Sequence, residues 1–399
     1  MKQLLKKEPV TIISLILAII SAFFVLPDRE YINYIDTRTL SILLCLMLVM
    51  AGLRKEGVFK SIGQKLLDKT TTKRGLVIVL TLLCFFFSML ITNDVALISF
   101  VPFSIELINM MDDEDKTKRQ SAASPKNATK KEDKKTSFAI KLIVLETIAA
   151  NLGSMLTPIG NPQNLYLYSL SGMSIGDFLK LMLPYSLSSL IGLLIFAFIL
   201  FPVKAATSDE TIARTSNEDE NKVSRSFSGK KITGYLVLFV LSLLVVVHVL
   251  PYQAVLVATI IAVMLIDSKT LWDADYFLLL TFIFLFIFVG NIKRISPVRD
   301  AIYSILNGRE VITSVVASQF ISNVPAAILL SGMTDKLSSL IIGTNLGGLG
   351  TLIASMASLI SFKFYSQIEG SNKGKYLVVF TVLNLIFLII LLGMYFIMM

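Results

Sequence analysis

The 399-residue sequence has few of the residues that build metal centres and redox sites. It contains one histidine and two cysteines, and Cys45 and Cys84 both lie inside apolar runs without metal-ligand or redox spacing. Only 16% of its residues are charged, against about a quarter in soluble globular domains. An ATP-binding motif is also missing, so any ATPase partner would be a separate chain. These shortages argue against zinc catalysis by a histidine cluster and against a water-soluble fold.

Apolar residues dominate what remains. They make up 54% of the chain, and the mean hydropathy is +0.74. They fall into repeated runs that are long enough to cross a hydrocarbon core of about 30 Å. The net charge of +9 comes from basic residues between these runs, without the basic face and interleaved aromatics that a nucleic-acid site needs. The sequence therefore predicts an all-α polytopic membrane protein whose partner is the lipid bilayer, with no nucleic-acid partner.

The distribution of charge predicts the orientation in a cell (inner or plasma) membrane. The first apolar run, 10–26, follows three lysines and is interpreted as a retained helix. The second run is followed by a strongly basic segment, 54–74, which indicates the cytoplasmic side by the positive-inside rule. The charged segments 112–136 and 203–231 are interpreted as flexible cytoplasmic connections. The N-terminus is then cytoplasmic, and the number of runs between these segments inverts the second half relative to the first.

The same pattern divides the chain into two inverted repeats. We predict about nine spanning helices, two re-entrant hairpins and two broken helices. The predicted parts are an N-terminal repeat over 1–202 with hairpin 75–111 and broken helix 138–168, a cytoplasmic linker over 203–231, and a C-terminal repeat over 232–399 with hairpin 311–333 and broken helix 337–364.

Two polar motifs interrupt the apolar runs, in the same order in each half. The hairpin regions contain Thr92-Asn93-Asp94 and Ser322-Asn323-Val324-Pro325. Further along each half, an Asn-Leu-Gly sequence begins at Asn151 and at Asn345, and a threonine and an isoleucine follow at matching distances. This correspondence within one chain supports an internal duplication.

These motifs predict unwound backbone at membrane depth, which persists only inside protein or beside water. Pro158 and Pro162, which follow Asn151 in the first half, each remove a backbone donor and clash with the preceding turn. The segment that contains them therefore cannot remain one unbroken helix. Interrupted helices offer carbonyl ends to a cation and N-termini to an anion. Close helix packing is the alternative role for the small residues. The expected substrate- and ion-binding residues are Thr92, Asn93, Asp94, Asn151, Gly153, Thr157, Pro158, Gly160, Asn161, Pro162, Asn164, Ser322, Asn323, Pro325, Asn345, Gly347, Gly350 and Thr351.

Two carboxyl groups lie inside apolar runs, where a proton or a cation has to offset their charge. Asp94 is next to Asn93 and is expected to bind the proton or sodium ion that drives transport. Its counterpart in the second half is Val324, so the two halves are not chemically equivalent. Glu146 is either a second proton or ion group or a structural partner of Lys141.

The paired motifs resemble those of the ion transporter superfamily, which includes citrate and dicarboxylate permeases, divalent anion–sodium symporters, arsenite efflux permeases and sodium/proton antiporters. Residues 92–94 are similar to the hairpin tip of the arsenite and citrate permease branch, residues 322–325 to the second tip, and residues 157–164 to the first broken helix. The resemblance implies a scaffold domain, a transport domain with two re-entrant hairpins, an elevator-like mechanism and a homodimer. It also implies that Asn93 and Asn323 hold Na⁺ and the anionic groups of the substrate.

We therefore predict a secondary transporter of a small anion, either a carboxylate or an inorganic oxyanion. It would need no cofactor beyond Na⁺ or H⁺ as the coupling ion. Arsenite or antimonite efflux and sodium/proton antiport stay open as alternatives. An intramembrane enzyme would need paired aspartates or a serine with a histidine, and the runs contain no such pairing. Two occluding polar breaks also favour alternating access over an ion channel.

Overall fold

A computed structural model describes residues 9–67, 70, 72–117, 125–202, 229–368 and 370–399. These residues form 18 α-helices and two short 3₁₀ helices, Ser268–Asp273 and Leu352–Ala354, and no β-strand is found among them. The α-helices are α1 Pro9–Phe24, α2 Glu30–Asn33, α3 Thr37–Lys55, α4 Val58–Leu67, α5 Lys73–Ile91, α6 Asn93–Thr117, α7 Pro125–Ser154, α8 Pro162–Ser171, α9 Ile175–Leu200, α10 Gly229–Val246, α11 Tyr252–Asp267, α12 Tyr276–Arg294, α13 Ser296–Leu306, α14 Glu310–Ile321, α15 Asn323–Ser331, α16 Leu337–Gly347, α17 Met356–Ser366 and α18 Lys373–Met398.

The lengths of the helices confirm an all-α polytopic membrane protein. Within the described ranges, eight helical segments are long and apolar enough to cross a membrane, where the sequence predicts about nine. Three further apolar helices are shorter, with 10–17 residues each. The eight candidate spans are Thr37–Lys55, Lys73–Ile91, Lys135–Ser154, Ile175–Leu200, Gly229–Val246, Tyr252–Asp273, Tyr276–Arg294 and Lys373–Met398.

The two predicted hairpins differ in the length of their arms. The arms of the second hairpin, α14 and α15, have 12 and 9 residues, or about 18 and 14 Å at 1.5 Å per residue. Neither arm is long enough to cross a core of about 30 Å. This length fits a re-entrant hairpin, whose arms enter and leave on the same side of the membrane. The first arm of the first hairpin, α5, has 19 residues and measures about 28 Å. The length of α5 is therefore that of a span.

The charged segment 112–136 is largely helical, so the prediction of a flexible loop there is wrong. Helix α6 continues to Thr117 and α7 begins at Pro125, while residues 118–124 lie outside the described ranges. Lysine, glutamate and alanine are good helix formers, and proline is favoured in the first turn of a helix. A charged sequence of this composition extends a membrane helix into water as readily as it forms a loop.

The chain folds into two compact units, each built from segments of both sequence halves. Unit A comprises the described residues of Met1–Glu56, Pro162–Leu181 and Ser228–Gly348, and unit B those of Gly57–Asn161, Met182–Phe227 and Leu349–Met399. Two of the boundaries between the units, at 161/162 and 348/349, fall where the sequence predicts broken helices. Most of the predicted linker, residues 203–228, lies outside the described ranges. The two repeats remain a prediction.

Glycines set the close helix contacts within each unit. In unit B, a Cβ atom added at Gly153 of α7 would lie 2.0 Å from the carbonyl oxygen of Phe85 in α5. In unit A, Gly343 and Gly347 of α16 face α14, and a Cβ at Gly347 would lie 2.5 Å from the Ser318 hydroxyl. This is the small-residue spacing by which membrane helices approach closely. Gly153 and Gly347 therefore take part in close helix packing, and their role in binding stays a prediction.

Candidate functional site

Both hairpins turn at a single residue with the same unusual backbone conformation. Thr92 has φ +74° and ψ 150°, and Ser322 has φ +71° and ψ 154°. Positive φ is rare for residues other than glycine, and for a β-branched threonine it is an outlier. In each hairpin the next residue, Asn93 or Asn323, begins the following helix. Such local strain persists only where the surrounding contacts hold it, which makes the two tips candidate functional elements.

In unit B, Asn93 attaches the first tip to the first helix break. Its backbone N–H donates to the carbonyl oxygen of Gly160 at 2.9 Å, and its side-chain Nδ2 donates to Oδ1 of Asn151 at 3.0 Å. Its own Oδ1 accepts from the backbone N–H of Asp94 at 2.9 Å. Asn93 and Asn151 are both buried. Two polar groups of this asparagine thus hold the tip against the break and α7, and a third caps the start of α6.

Asn151 extends this cluster to the segment that follows the second break. Its Oδ1 also accepts from the hydroxyl of Ser355 at 3.0 Å, and its Nδ2 donates to the hydroxyl of Ser358 at 3.3 Å. Both serines are buried. Ser355 and Ser358 are absent from the expected site residues, because a serine beside an apolar run looks the same in sequence whether it packs or binds. We call Asn93, Asn151, Ser355 and Ser358 the first amide cluster.

The first break is real, but it lies slightly earlier than the sequence indicates. Helix α7 ends at Ser154 and α8 begins at Pro162, so Pro162 opens a helix at a position where its missing N–H costs nothing. The backbone folds back on itself here: a Cβ at Gly160 would lie 2.0 Å from the carbonyl oxygen of Ser154. Asn161 Nδ2 donates to the Ser154 hydroxyl at 3.2 Å, and the Thr157 hydroxyl donates to the Met89 carbonyl.

In unit A, the second tip lies beside the end of α16. A Cβ at Gly348 would lie 3.0 Å from Nδ2 of Asn323, so an added methyl group here would press on this asparagine amide. Asn345, in the last turn of α16, donates from Nδ2 to Oδ1 of Asn164 at 2.6 Å and to the Ile341 carbonyl at 2.8 Å. Asn164, Asn323 and Asn345 are buried, and we call them the second amide cluster.

The second helix break, unlike the first, begins later than the sequence indicates. Asn345 is still helical, α16 ends at Gly347, and α17 begins at Met356. Gly350 has φ +110°, a conformation that favours glycine. Thr351 is exposed.

The expected site residues therefore form two groups. Those in unit A are Pro162, Asn164, Ser322, Asn323, Pro325, Asn345 and Gly347. Those in unit B are Thr92, Asn93, Asp94, Asn151, Gly153, Thr157, Pro158, Gly160, Asn161, Gly350 and Thr351. Unit B brings the first hairpin tip to the first helix break, and unit A brings the second tip to the end of α16 and the start of α8. Among the described residues, no group of three or more histidine, cysteine, aspartate or glutamate side chains is placed to hold a metal ion.

The ionisable residues of unit B have separate environments. Asp94 lies half-buried in the first turn of α6, where the helix dipole favours a negative charge. Glu146 is fully buried and accepts a hydrogen bond from the Ser104 hydroxyl. The Lys141 ammonium group donates to the Leu200 carbonyl at 3.4 Å, so the partner of Glu146 is Ser104 in the described part of the chain.

His248 lies outside the spanning segments, in the connection between α10 and α11. Burial, assisted by the charge of Arg38, lowers the pKa of His248 below its ordinary value. The neutral form of this exposed imidazole is therefore favoured more than in a free histidine.

Comparisons with known proteins agree with this architecture. A family model described as a citrate transporter matches residues 4–339. An uncharacterized transporter of Methanocaldococcus jannaschii is 30% identical over 370 residues, which cover 92% of this chain and 91% of that protein. The inner membrane protein YbiR of Escherichia coli is 29% identical over 347 residues, covering 86% and 84% of the two chains. The silicon efflux transporter LSI3 of Oryza sativa subsp. japonica is 29% identical over 168 residues, covering 42% and 30%.

The match to the family model extends over most of the chain, and the relative from Methanocaldococcus jannaschii is aligned over nearly its whole length. Both findings confirm the resemblance to the ion transporter superfamily that the tip and break motifs suggest. The chain belongs to the citrate transporter family and is a multi-pass membrane transporter.

Proposed function

We propose that the protein is a secondary active transporter of a small anion, either a carboxylate or an inorganic oxyanion, driven by Na⁺ or H⁺. The observation that carries this proposal is the position of buried asparagines where each hairpin tip lies beside the end of a broken helix. In the first cluster Asn93 bonds to Asn151 at 3.0 Å, and in the second Asn323 borders Gly348, directly after α16. Buried amides inside a membrane protein cost free energy unless they are satisfied, so their concentration at two breaks favours a binding role.

The choice of an anion rests on the helix ends at these places. Helices α6 and α15 begin at the two tips, and α8 and α17 begin after the two breaks. A helix N-terminus presents free N–H groups and the positive end of its dipole, which attract anions. Helices α7 and α16 end at the breaks and offer carbonyl oxygens that suit a small cation. We assign one cation site to Asn93 and Asp94 in unit B and another to Asn323 in unit A, and we assign the anion to the neighbouring helix N-termini of each unit.

The broader mechanism follows from the same features. The two tips share backbone angles to within a few degrees, and tip precedes break in both halves, which supports an inverted duplication. We propose elevator-like alternating access in a homodimer, located in the inner or plasma membrane with a cytoplasmic N-terminus. The protein acts as a carrier and not as an enzyme.

A second candidate is the efflux of a weakly acidic oxyacid, such as arsenite, antimonite or silicic acid. The observation in its favour is the similarity of part of the chain to a plant protein named as a silicon efflux transporter. Sodium/proton exchange is a third candidate, which rests on Asp94 beside the first tip.

Transport by purified protein in liposomes tests the proposal. The probes are labelled citrate, succinate, sulfate and arsenite, each with an inward Na⁺ gradient or a pH gradient. We expect Asn93→Ala and Asn323→Ala to abolish uptake without loss of folded protein, because each removes a buried amide from one cluster. Asn33→Ala is the matched control, since Asn33 is exposed and its side chain donates to Glu30 on the same short helix. Unchanged uptake by the first two variants would exclude these clusters as the site.

A further inference from the structure

Unit B contains a carboxyl group that the proposed site does not use. Glu146 lies on α7, and its side chain is completely buried. Its Oε1 accepts from the Ser104 hydroxyl of α6, whereas its Oε2 has no hydrogen-bond partner among the described residues. Ser104 is also completely buried. One oxygen of the carboxyl group is therefore satisfied, and the other faces an interior without a donor.

The groups around Glu146 do not supply a compensating positive charge. Helix α7 packs against α5, α6, α17 and α18. The titratable groups within electrostatic range are Cys84 of α5 and Tyr376 of α18, and both are buried. Among the charged side chains described on these helices, Lys141 donates to the Leu200 carbonyl and Glu106 pairs with Lys60. The others lie in first turns (Asp94, Lys73 and Arg74), eleven residues before Glu146 on α7 (Lys135), or at exposed positions (Lys363, Lys373 and Lys375). No ion pair of Glu146 is found in the described ranges.

An ionised carboxylate in this environment would be expensive. A charge at membrane depth without a cation costs several kcal/mol, whereas a neutral carboxyl group with one unsatisfied atom costs about 1–3 kcal/mol. The larger cost falls on the ionised form, so the protonated form fits the observed packing. Ionisation would require water or a cation to reach Oε2, and hence a displacement of α7 against the helices that cover it.

Glu146 lies close to the first amide cluster along the same helix. Glu146 precedes Asn151 by five residues on the same helix, or about 7.5 Å along the axis. Asn151 holds the first hairpin tip through Asn93 and contacts Ser355 and Ser358. A displacement of α7 that hydrates Glu146 would therefore act on the hydrogen bonds that attach the tip.

We propose that Glu146 is the proton-binding site of this transporter, a role that rests on the proposed function. The neutral carboxyl group binds one proton in the packed conformation. It releases that proton to water when the transport cycle opens α7, becomes a carboxylate, and is neutralised again by one proton before α7 repacks. One proton is exchanged in each cycle, and the coupling ion at this site is H⁺.

Infrared difference spectroscopy tests the protonation state without a transported substrate. Wild-type protein in liposomes is compared with Glu146→Gln and with the control Glu106→Gln, whose side chain is exposed on α6. We expect the carbonyl stretch of a protonated carboxylic acid at pH 7 in the wild type and in the control, and its loss in Glu146→Gln. The band should disappear reversibly when the wild type is titrated to alkaline pH. A wild type without this band at pH 7, or a band that persists in Glu146→Gln, would overturn the proposal.

Uptake under a pH gradient tests the coupling with the same three proteins and the probe anions named above. A one-unit gradient with one proton per cycle supports about tenfold accumulation, since about 1.4 kcal/mol corresponds to a factor of ten. We expect this accumulation in the wild type and in Glu106→Gln. In Glu146→Gln we expect about equal concentrations of the probe inside and outside the liposomes. If Glu146→Gln accumulates the probe like the wild type, or if only Na⁺ gradients drive the wild type, H⁺ coupling at Glu146 is wrong while the transporter stands. If the wild type moves no probe, the proposed function fails, and the coupling role fails with it whatever the infrared result.

Discussion

The substitution Gly153→Ala probes the contact that supports the first amide cluster. Gly153 lies in α7, and the added Cβ would be 2.0 Å from the carbonyl oxygen and 2.7 Å from the carbonyl carbon of Phe85, and 2.6 Å from the Ser88 hydroxyl. Two of these atoms belong to the backbone of α5, so no rotamer change relieves the contact. Helices α5 and α7 would have to separate by more than 1 Å, an overpacking that costs about 1–3 kcal/mol or more.

Alanine is intrinsically favoured over glycine in a helix by up to about 1 kcal/mol, which gives this prediction a matched control. Gly393 lies in α18, also in unit B, and nothing lies within 4 Å of its added Cβ. We expect Gly153→Ala to lower the thermal unfolding midpoint in detergent by on the order of 5 °C, at roughly 2–4 °C per kcal/mol. Gly393→Ala should leave the midpoint unchanged or raise it. Equal stability of Gly153→Ala and wild type would refute the inferred contact between α5 and α7.

Three further predictions concern single contacts. Ser355→Ala removes one donor to the buried Oδ1 of Asn151 and should cost about 0.5–1.5 kcal/mol of stability, measured by thermal unfolding. Gly160→Ala places a Cβ 2.0 Å from a backbone oxygen, and it should open the first break and reduce uptake more than stability. The Arg294 guanidinium hydrogen-bonded to exposed Asp28 lowers the pKa of that carboxyl group. Its stabilisation is therefore present above the ordinary aspartate pKa and lost as the pH falls through the lowered value, so Asp28→Asn should flatten the acid side of the stability profile.

Each of these three has an outcome that contradicts it. A Ser355→Ala protein as stable as wild type would mean that Asn151 Oδ1 is satisfied by Asn93 alone. A Gly160→Ala protein with full uptake would show that the break accommodates a side chain. An Asp28→Asn protein that loses stability in acid as steeply as wild type would assign that loss to other carboxyl groups.

Local chemistry made the helix breaks predictable. Pro158 and Pro162 lack backbone donors, so an interruption near them could be read directly from the sequence. The exact ends could not, because a proline that interrupts one helix also serves as the first residue of the next. Asn345 illustrates the same limit. The residues around it in sequence are the same whether it lies in the last turn of a helix or in a break.

Long-range pairing was not predictable from one sequence. Ser355 and Asn151 are 204 residues apart, and no periodicity connects them. The two compact units were not predictable for the same reason. Each unit combines three distant segments, whereas hydropathy describes only the segment in which it is measured. The helical extensions of α6 and α7 beyond the apolar runs were missed because low hydropathy does not separate a solvated helix from a loop.

Anion binding at the asparagine-bearing tips and breaks is the central requirement of the proposed function. Ligand-induced thermal stabilisation measures this directly, since a ligand that binds only the folded state raises the unfolding midpoint. Citrate, succinate, sulfate and arsenite are tested with and without Na⁺, on wild type, Asn93→Ala and Asn323→Ala. We expect at least one anion to raise the unfolding midpoint of the wild type and of neither variant. A wild type that responds to none of these anions, or variants that respond as strongly as the wild type, would contradict it.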